Sequence, residues 1–387
     1  MTSPAAERRV SWLELFFDLV VVVAVAQLAH LLHGEVSPRD AGLFVLLFYA
    51  VWTVWTGFTL YANVAATRTR TNTMLLAMFG IAVMAAAIPE AAGDRGAIFA
   101  AVYVICRYLG LLSWRRTGQM LFAWPAAQAG AGTVPWVVSI WVEPPARYWL
   151  WTAGLVLDIG FSALQGSQAP AMIARAQDRL RRAAALPRST RVPETVVPAT
   201  VEPSHLGERL GLFVIIVLGE AVAQVVLAAS EVAWTGPLVV AAVAGFGLLV
   251  SLWWLTLEYG AMGVPRFRLA EVPTWLALPA HFAMTMGITA VAAGLGSLAE
   301  APAETLGLAE RWVLCGGLAL YFLSTALVGA VSGAPRGWLL TRALPSATVP
   351  VLVAILGRDL RAQWFPVVLL AAALWQVEYT RRGDGAR

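Results

Sequence analysis

The sequence predicts an all-α, polytopic membrane protein built as a transmembrane helical bundle of about 12 spans, and three observations predict it. Hydrophobic residues fill 59% of the 387 positions. Charged residues account for only 13%, against about 25% in a soluble domain. Apolar runs of about 20 residues, the length that crosses a bilayer as a helix, recur along the whole chain. This composition excludes a soluble enzyme, a disulfide scaffold and a nucleic-acid-binding module.

Apolar runs bounded by charges, prolines or glycines define the individual spans. The runs are too uniformly apolar for barrel strands, in which lipid-facing and lumen-facing residues alternate. Twelve runs qualify, and ten spans is the lower estimate because the fifth and eleventh runs are interrupted by prolines. The runs are 12–33, 40–62, 72–92, 96–113, 119–141, 147–168, 206–229, 235–258, 273–298, 308–331, 337–356 and 361–379.

The chain divides near its middle into two halves that resemble one another. An Arg- and Pro-rich segment over 169–204 separates a first half, 1–168, from a second half, 205–387. Val-Ala-Gln at 25–27 recurs at 222–224, at corresponding places in the first and seventh spans. We therefore expect a six-plus-six tandem repeat. An even number of spans in each half would make the copies parallel, related by an axis along the membrane normal.

Arginine placement predicts the orientation, because cytoplasmic loops carry an excess of basic residues. All 27 basic residues are Arg. With the N-terminus in the cytoplasm, loops on that side hold 17 arginines and loops on the other side hold 6. The sequence thus predicts a bacterial inner (cytoplasmic) membrane protein with both termini cytoplasmic.

The first span carries Glu14, Asp18 and Gln27. A charge at membrane depth costs about 2.5 kcal/mol or more, so it should face the bundle interior. Glu14 and Asp18, four residues apart, share one helix face. They are either helix-start charges near the interface or two carboxylates that hold one proton between them. Gln27 lies near the far end of the span and is a candidate substrate-binding residue.

The seventh span carries a larger polar set. His205 and Glu208 share a face at a spacing that suits a proton relay or a metal, although Arg209 could simply neutralise Glu208. His205, Glu208 and Arg209 are also candidate substrate-binding residues. Glu220 lies in mid-span, with no charge within ten residues on its own helix. It must find a partner on another helix or remain protonated, so it is the best single candidate for proton exchange. Gln224 follows one turn later as a candidate substrate-binding residue.

Other candidates are more scattered. His281 could approach Glu220 and exchange protons with it, and Arg107 in the fourth span could pair with Asp158 or Glu220. Trp55 and Trp253 either anchor the helices at headgroup depth, as most of the 17 tryptophans should, or line an aromatic cavity that binds substrate. We expect no metal and no cofactor, because the sequence contains no HExxH, CxxC, P-loop or dinucleotide motif.

The polar motifs resemble those of a known family. The stretch 11–30, which contains Glu14, Asp18, Gln27 and His30, resembles the opening motif of the bacterial low-temperature-requirement A (LtrA) family. The stretch 205–220 resembles its central motif, and Trp253-Trp254 and 281–288 resemble later ones. The stretch 256–259 is less acidic than the family pattern. The resemblance implies that the family's polar signature here is Glu14, Asp18, His205, Glu208, Arg209, Glu220 and His281. The family name records a growth phenotype at low temperature, so the resemblance implies a class of protein and not a chemistry.

Two functions remain open from the sequence. One is a secondary transporter, proton-coupled, with a buried acidic and histidine site. The alternative is an intramembrane enzyme that uses a buried carboxylic acid and an aromatic pocket on a lipid or isoprenoid-like substrate. A structural or sensory protein is a third, less specific option. The partners we expect are membrane lipid and a small-molecule or hydrophobic substrate, with no nucleic acid. The sequence does not specify an oligomeric state.

Overall fold

The computed structural model is helical along almost its whole described length. It describes residues 10–34, 36–121, 124, 126, 130–162, 164, 175, 197–258, 260–261, 264–265 and 272–384. Most of the predicted linker over 169–204 therefore lies outside the described residues.

The helices follow the apolar runs in chain order. A single helical turn at Arg336–Trp338 and a π-helical turn at Leu339–Ala343 lead into the helix Leu344–Leu356, and a π-helical turn at Trp254–Glu258 extends the helix Gly236–Trp253. Short 3₁₀ turns occur at Ala66–Arg68, Ile88–Glu90 and Gly357–Asp359. The helices are α1 Trp12–His30, α2 Pro38–Ala65, α3 Thr71–Ala87, α4 Gly96–Thr117, α5 Thr133–Ser139, α6 146–162, α7 Pro203–Glu231, α8 Gly236–Trp253, α9 Thr274–Glu300, α10 Leu308–Val331, α11 Leu344–Leu356 and α12 Trp364–Asp384.

The β-strands in the described ranges are each only two residues long. β1 (Gln119–Met120) pairs in parallel with β2 (Val197–Pro198). β3 (Gly260–Ala261) pairs antiparallel with β4 (Val264–Pro265). The all-α class predicted from the composition is confirmed.

Nine helical segments within the described residues are long and apolar enough to cross a membrane. They contain α1 to α4 and α7 to α11, whereas the apolar part of α12, Trp364–Glu378, is shorter. The fifth predicted span, 119–141, is described only in part, and that part contains β1 and the seven-residue α5 instead of one long helix. Gly130 and Gly132 stand in the non-helical backbone just before α5, where glycine disfavours helix. Twelve spans and the six-plus-six repeat stay predictions.

The chain divides into two compact units that are not the two predicted halves. The first unit contains Met1–Phe17, Tyr49–Leu206 and Thr274–Pro279. The second unit contains Asp18–Phe48, Gly207–Pro273 and Ala280–Arg387. The helices α1, α2, α7 and α9 each contribute residues to both. The division into halves at 169–204 stays a prediction.

The first unit packs aromatic rings around α4, α5 and α6. The ring of Trp136 stacks on that of Trp151 with centroids 4.9 Å apart and planes 9° apart. Tyr103 on α4 lies 4.4 Å from the same Trp136 ring. Gly154 on α6 leaves room for this ring, because a Cβ there would collide with it. All three aromatic side chains are buried.

The second unit brings α9 and α10 together through glycines. A Cβ on Gly317 would lie 2.6 Å from the carbonyl oxygen of Gly287 and 2.8 Å from the Cβ of Ala290. A Cβ on Gly294 would lie 2.6 Å from the Cβ of Leu314. Small residues at these positions let the two backbones approach closely, as is common between helices in membranes.

Candidate functional site

In the first unit, Glu14 on α1 meets His205 on α7. The Oε1 atom of Glu14 lies 3.3 Å from Nε2 of His205, and the two side chains are only 2% and 0% exposed. Ser11 donates two hydrogen bonds to Oε2 of Glu14, one from its backbone N–H and one from its hydroxyl, each 2.8 Å long. One oxygen of the carboxylate is thus fixed by the start of α1, and the other faces the imidazole.

Asn63 on α2 determines which nitrogen of His205 carries the proton. The backbone of Glu202 fixes the Asn63 amide, because its N–H donates to Oδ1 (2.9 Å) and its carbonyl accepts from Nδ2 (3.0 Å). Nδ2 of Asn63 lies 3.1 Å from Nδ1 of His205. Since an amide nitrogen can only donate, Nδ1 is the acceptor and Nε2 carries the hydrogen that faces Glu14. This arrangement points Nε2 of His205 at the carboxyl group of Glu14.

In the second unit, Asp18 on α1 pairs with Arg209 on α7. Nη2 of Arg209 donates to Oδ1 of Asp18 over 2.6 Å, and both side chains are almost completely buried. Glu208, the neighbour that Arg209 could have neutralised, is exposed. Arg209 therefore serves the buried carboxylate on α1 and not its own neighbour in the sequence.

Glu220 is buried in the second unit with a neutral partner. Its side chain is 8% exposed, and Nε2 of Gln224, one turn later on α7, donates to its Oε1 over 2.6 Å. From the sequence, we expected Glu220 to have a partner on another helix or to be protonated. In the structure its partner is the amide of Gln224 on the same helix. An amide is neutral, so this contact gives a buried carboxylate no countercharge.

His281 is completely buried on α9. Its Nε2 lies 3.0 Å from the carbonyl oxygen of Leu210, and its ring lies 5.5 Å from that of Phe213. Leu210 precedes Glu220 by ten residues on α7, a rise of about 15 Å along a helix. The structure therefore anchors His281 about three turns away from the carboxyl that the sequence suggested as its neighbour.

The candidate substrate-binding residues are in different surroundings. Gln27 is half-buried on α1, and Trp55 is fully buried in the first unit. Trp253 in the second unit is 39% exposed, with its ring 6.3 Å from that of Trp254. An aromatic cavity formed with Trp55 and Trp253 stays a prediction.

A further buried charge pair lies in the first unit. Nη2 of Arg107 donates to Oδ2 of Asp158 over 3.1 Å, so Asp158 is the acid that Arg107 pairs with. The hydroxyl of Tyr49 donates to the same Oδ2 (2.8 Å), and the backbone N–H of Gly132 donates to Oδ1 (2.9 Å). Asp158 thus holds the non-helical backbone before α5 against α6. Sequence reasoning missed Tyr49 and Asn63, although a lone Asn within an apolar span is a visible signal.

The arrangement offers proton exchange more readily than metal chemistry. Within the described ranges, no three His, Cys, Asp or Glu side chains are grouped so that they could hold a metal ion. Cys106 and Cys315 are both buried and free. The chemically active groups are therefore carboxylates, an imidazole and guanidinium groups inside apolar helices.

Long apolar helices with buried ion pairs define a polytopic α-helical membrane protein. The sequence profile of the bacterial low temperature requirement A protein (LtrA) matches residues 9–374, so the chain belongs to this family. The resemblance noted from the motifs is confirmed.

A curated relative gives a partial match. An uncharacterized protein of Rhizobium meliloti (strain 1021) is 32% identical over 226 residues, which cover 56% of this chain. The matched region spans 50% of the length of that relative. No solved structure matches the chain significantly.

Proposed function

We propose that this protein is a secondary transporter that moves a small-molecule solute together with protons and that Glu220 is its principal proton-exchanging residue. One observation carries the proposal. Four acidic side chains are buried in the described residues, and three of them face a basic side chain: Glu14, Asp18 and Asp158. Glu220 instead faces the neutral Gln224.

The absence of a fixed countercharge gives Glu220 a different task from the other three acids. An Asp–Arg pair stays ionised, because losing either charge leaves the other buried and uncompensated. A carboxyl beside an amide can be neutral while buried and can ionise when a conformational change exposes it to water. Buried acids of this kind mark proton relays in pumps and transporters.

Glu14 and His205 supply a second proton-exchanging pair. One ring nitrogen of His205 is an acceptor that can take up a proton, and the Glu14 carboxyl group lies beside the ring. Gaining that proton would also break the contact with Asn63, because the protonated ring has no acceptor nitrogen.

The proposal is tested with purified protein in liposomes that enclose a pH-sensitive dye. A panel of small solutes is added outside, and the expected result is a change in internal pH that depends on one class of solute. Glu220→Gln should abolish this coupled proton movement, since the amide has nearly the same shape but carries no exchangeable charge. Glu231→Gln is the matched control, because Glu231 ends the same helix and is exposed.

Two results would contradict the proposal. One is coupled transport by Glu220→Gln at the wild-type rate. The other is the failure of every solute in a broad panel to move protons into liposomes that contain folded protein.

The predicted tandem repeat and orientation belong to this proposal. The recurrence of Val-Ala-Gln at 25–27 and 222–224 supports the repeat, which would relate α1 to α7 by an axis along the membrane normal. For localisation we propose the bacterial inner membrane with both termini in the cytoplasm.

An intramembrane enzyme is the second candidate, and the aromatic cluster of the first unit favours it. Tyr103, Trp136 and Trp151 lie in the same unit as a buried acid, Asp158, and the guanidinium carbon of Arg107 lies 5.9 Å from the Tyr103 ring centroid. However, the rings stack on one another and Asp158 is held by Arg107. Incubating the protein with radiolabelled phospholipid or prenyl diphosphate and finding a product would favour the enzyme.

A further inference from the structure

Near the C-terminal end of α1, a histidine and a glutamine lie close to the same glycine. The glycine is Gly296 on α9. A Cβ on this residue would lie 2.8 Å from Nε2 of His33 and 3.3 Å from Cβ of Gln224. The space that a side chain would occupy is thus filled by His33, which lies in the turn after α1, and by Gln224 on α7.

Gln224 connects this place to the middle of the span. It donates the hydrogen bond to Oε1 of Glu220, the buried acid without a basic partner. Polar side chains therefore lead from the turn after α1, where His33 is partly exposed, to Glu220 on α7. Nδ1 of His33 is buried and has no hydrogen-bond partner among the residues that the structure describes.

We propose that His33 is the residue that passes protons between Glu220 and the water at this end of the bundle, with Gln224 as the positioning residue. The inference rests on the proposed function, and it adds an entrance for the proton at the end of α1 where His33 lies. The amide of Gln224 occupies Oε1 of Glu220, so the proton is delivered to Oε2. Transfer through a bridging water breaks an N–H bond of the imidazolium and forms the O–H bond of the carboxyl. It leaves a neutral imidazole and a neutral acid.

The surroundings of His33 suit an intermediate that holds a proton only briefly. Burial lowers the pKa of His33 below its usual value of 6.5, and the nearby His30 lowers it further, while Glu300 on α9 opposes them by raising it. His33 is therefore neutral at pH 7 and can accept a proton from water. A lowered pKa also favours passing the proton onward.

The experiment follows the protonation of Glu220 itself and needs no solute. Full-length protein in liposomes is given a rapid pH drop, and the infrared carboxyl band that Glu220→Gln removes is recorded over time. His33→Gln should slow the appearance of this band roughly hundredfold, the lower end of what a positioned acid–base group contributes. The final amplitude should be unchanged, because the variant removes a path and not the acid.

Two further variants separate a proton path from a structural effect. Gly296→Ala should slow the band in the same way, because its Cβ would displace the His33 ring. His30→Gln should keep the wild-type rate, since His30 is an exposed neighbour whose ring lies 5.3 Å from that of His33. Thermal unfolding of each variant verifies that it is folded.

The possible results are distinct. A wild-type rate in His33→Gln overturns the role of His33 and leaves the transporter proposal intact. A Glu220 band that never changes with pH overturns both the role of His33 and that of Glu220. A band that depends on His33 in a protein that moves no solute would support this proton path but contradict the transport proposal.

Discussion

At the scale of single residues, Asp18 and Arg209 form the most tightly defined ion pair of the second unit. We expect Asp18→Ala to lower the free energy of unfolding by about 3–5 kcal/mol, because it leaves the Arg209 guanidinium buried without its countercharge. Replacing both residues by apolar ones of similar size, Asp18→Leu with Arg209→Met, should recover most of this loss. Chemical unfolding in detergent, followed by tryptophan fluorescence, measures both effects.

The control for this prediction is Glu208→Ala. Glu208 is exposed, and a surface substitution of this kind changes the stability by less than about 0.5 kcal/mol. A loss in Glu208→Ala equal to that in Asp18→Ala would show that Arg209 is balanced by its sequence neighbour after all.

The same residues show how far sequence reasoning reaches. A buried charge must have a partner, so the sequence identified Glu14, Asp18, His205, Arg209 and Glu220 as members of a polar interior. It could not choose the partners, because helix spacing reports neighbours on one helix and not contacts between helices. Asn63, whose amide sets the proton position on His205, was missed because the search followed buried charges and Asn63 is neutral.

At the scale of helices, Gly316 and Gly317 are adjacent on α10, and Gly317 is the one that faces α9. Gly317→Ala should lower the stability by about 1–3 kcal/mol, the usual cost of overpacking, because its Cβ would collide with Gly287 and Ala290. Gly316→Ala introduces the same atom where its nearest contact is the Trp312 ring at 3.6 Å, an ordinary distance. It should stabilise α10 by up to about 1 kcal/mol through helix propensity.

Thermal unfolding of the two variants side by side checks this prediction. Equal effects would mean that helix propensity, and not the close approach of α9 and α10, determines the role of both glycines. The sequence alone could not distinguish these adjacent glycines, since the direction in which each faces depends on the rotation of α10 in the bundle.

At the scale of the whole molecule, two of the arginines counted for the predicted orientation have a packing role. Arg147 and Arg311, which belong to the six on the predicted non-cytoplasmic side, are buried and donate to backbone carbonyls. Arg147 donates to Val142 and Gly93, and Arg311 donates to Ala354. These two arginines therefore stabilise helix ends, and the orientation stays a prediction that topology measurements can test.

The position of the C-terminus tests the number of spans together with the orientation. Nine spans place the two termini on opposite sides of the membrane, whereas ten or twelve place both in the cytoplasm. The difference depends on α12, because its apolar part of 15 residues, Trp364–Glu378, rises about 22 Å, less than the 30 Å of the hydrocarbon core. In the sequence, Arg381 and Arg382 follow this segment, and an excess of basic residues is typical of the cytoplasmic end of a span. We expect α12 to cross, and a fluorescent protein fused at the C-terminus to fluoresce, as it does only in the cytoplasm.

Labelling of introduced single cysteines tests the same topology independently. The native Cys106 and Cys315 are buried, so they should give little background labelling. In intact cells a membrane-impermeant maleimide should label Ser37→Cys, in the exposed turn after α1. It should label Arg68→Cys, at the opposite end of α2, only after the cells are opened. A C-terminal fusion that stays dark, with Ser37→Cys labelled as expected, would leave α12 on the outer side and reduce the spans to an odd number. Labelling of Arg68→Cys but not Ser37→Cys in intact cells would reverse the whole orientation.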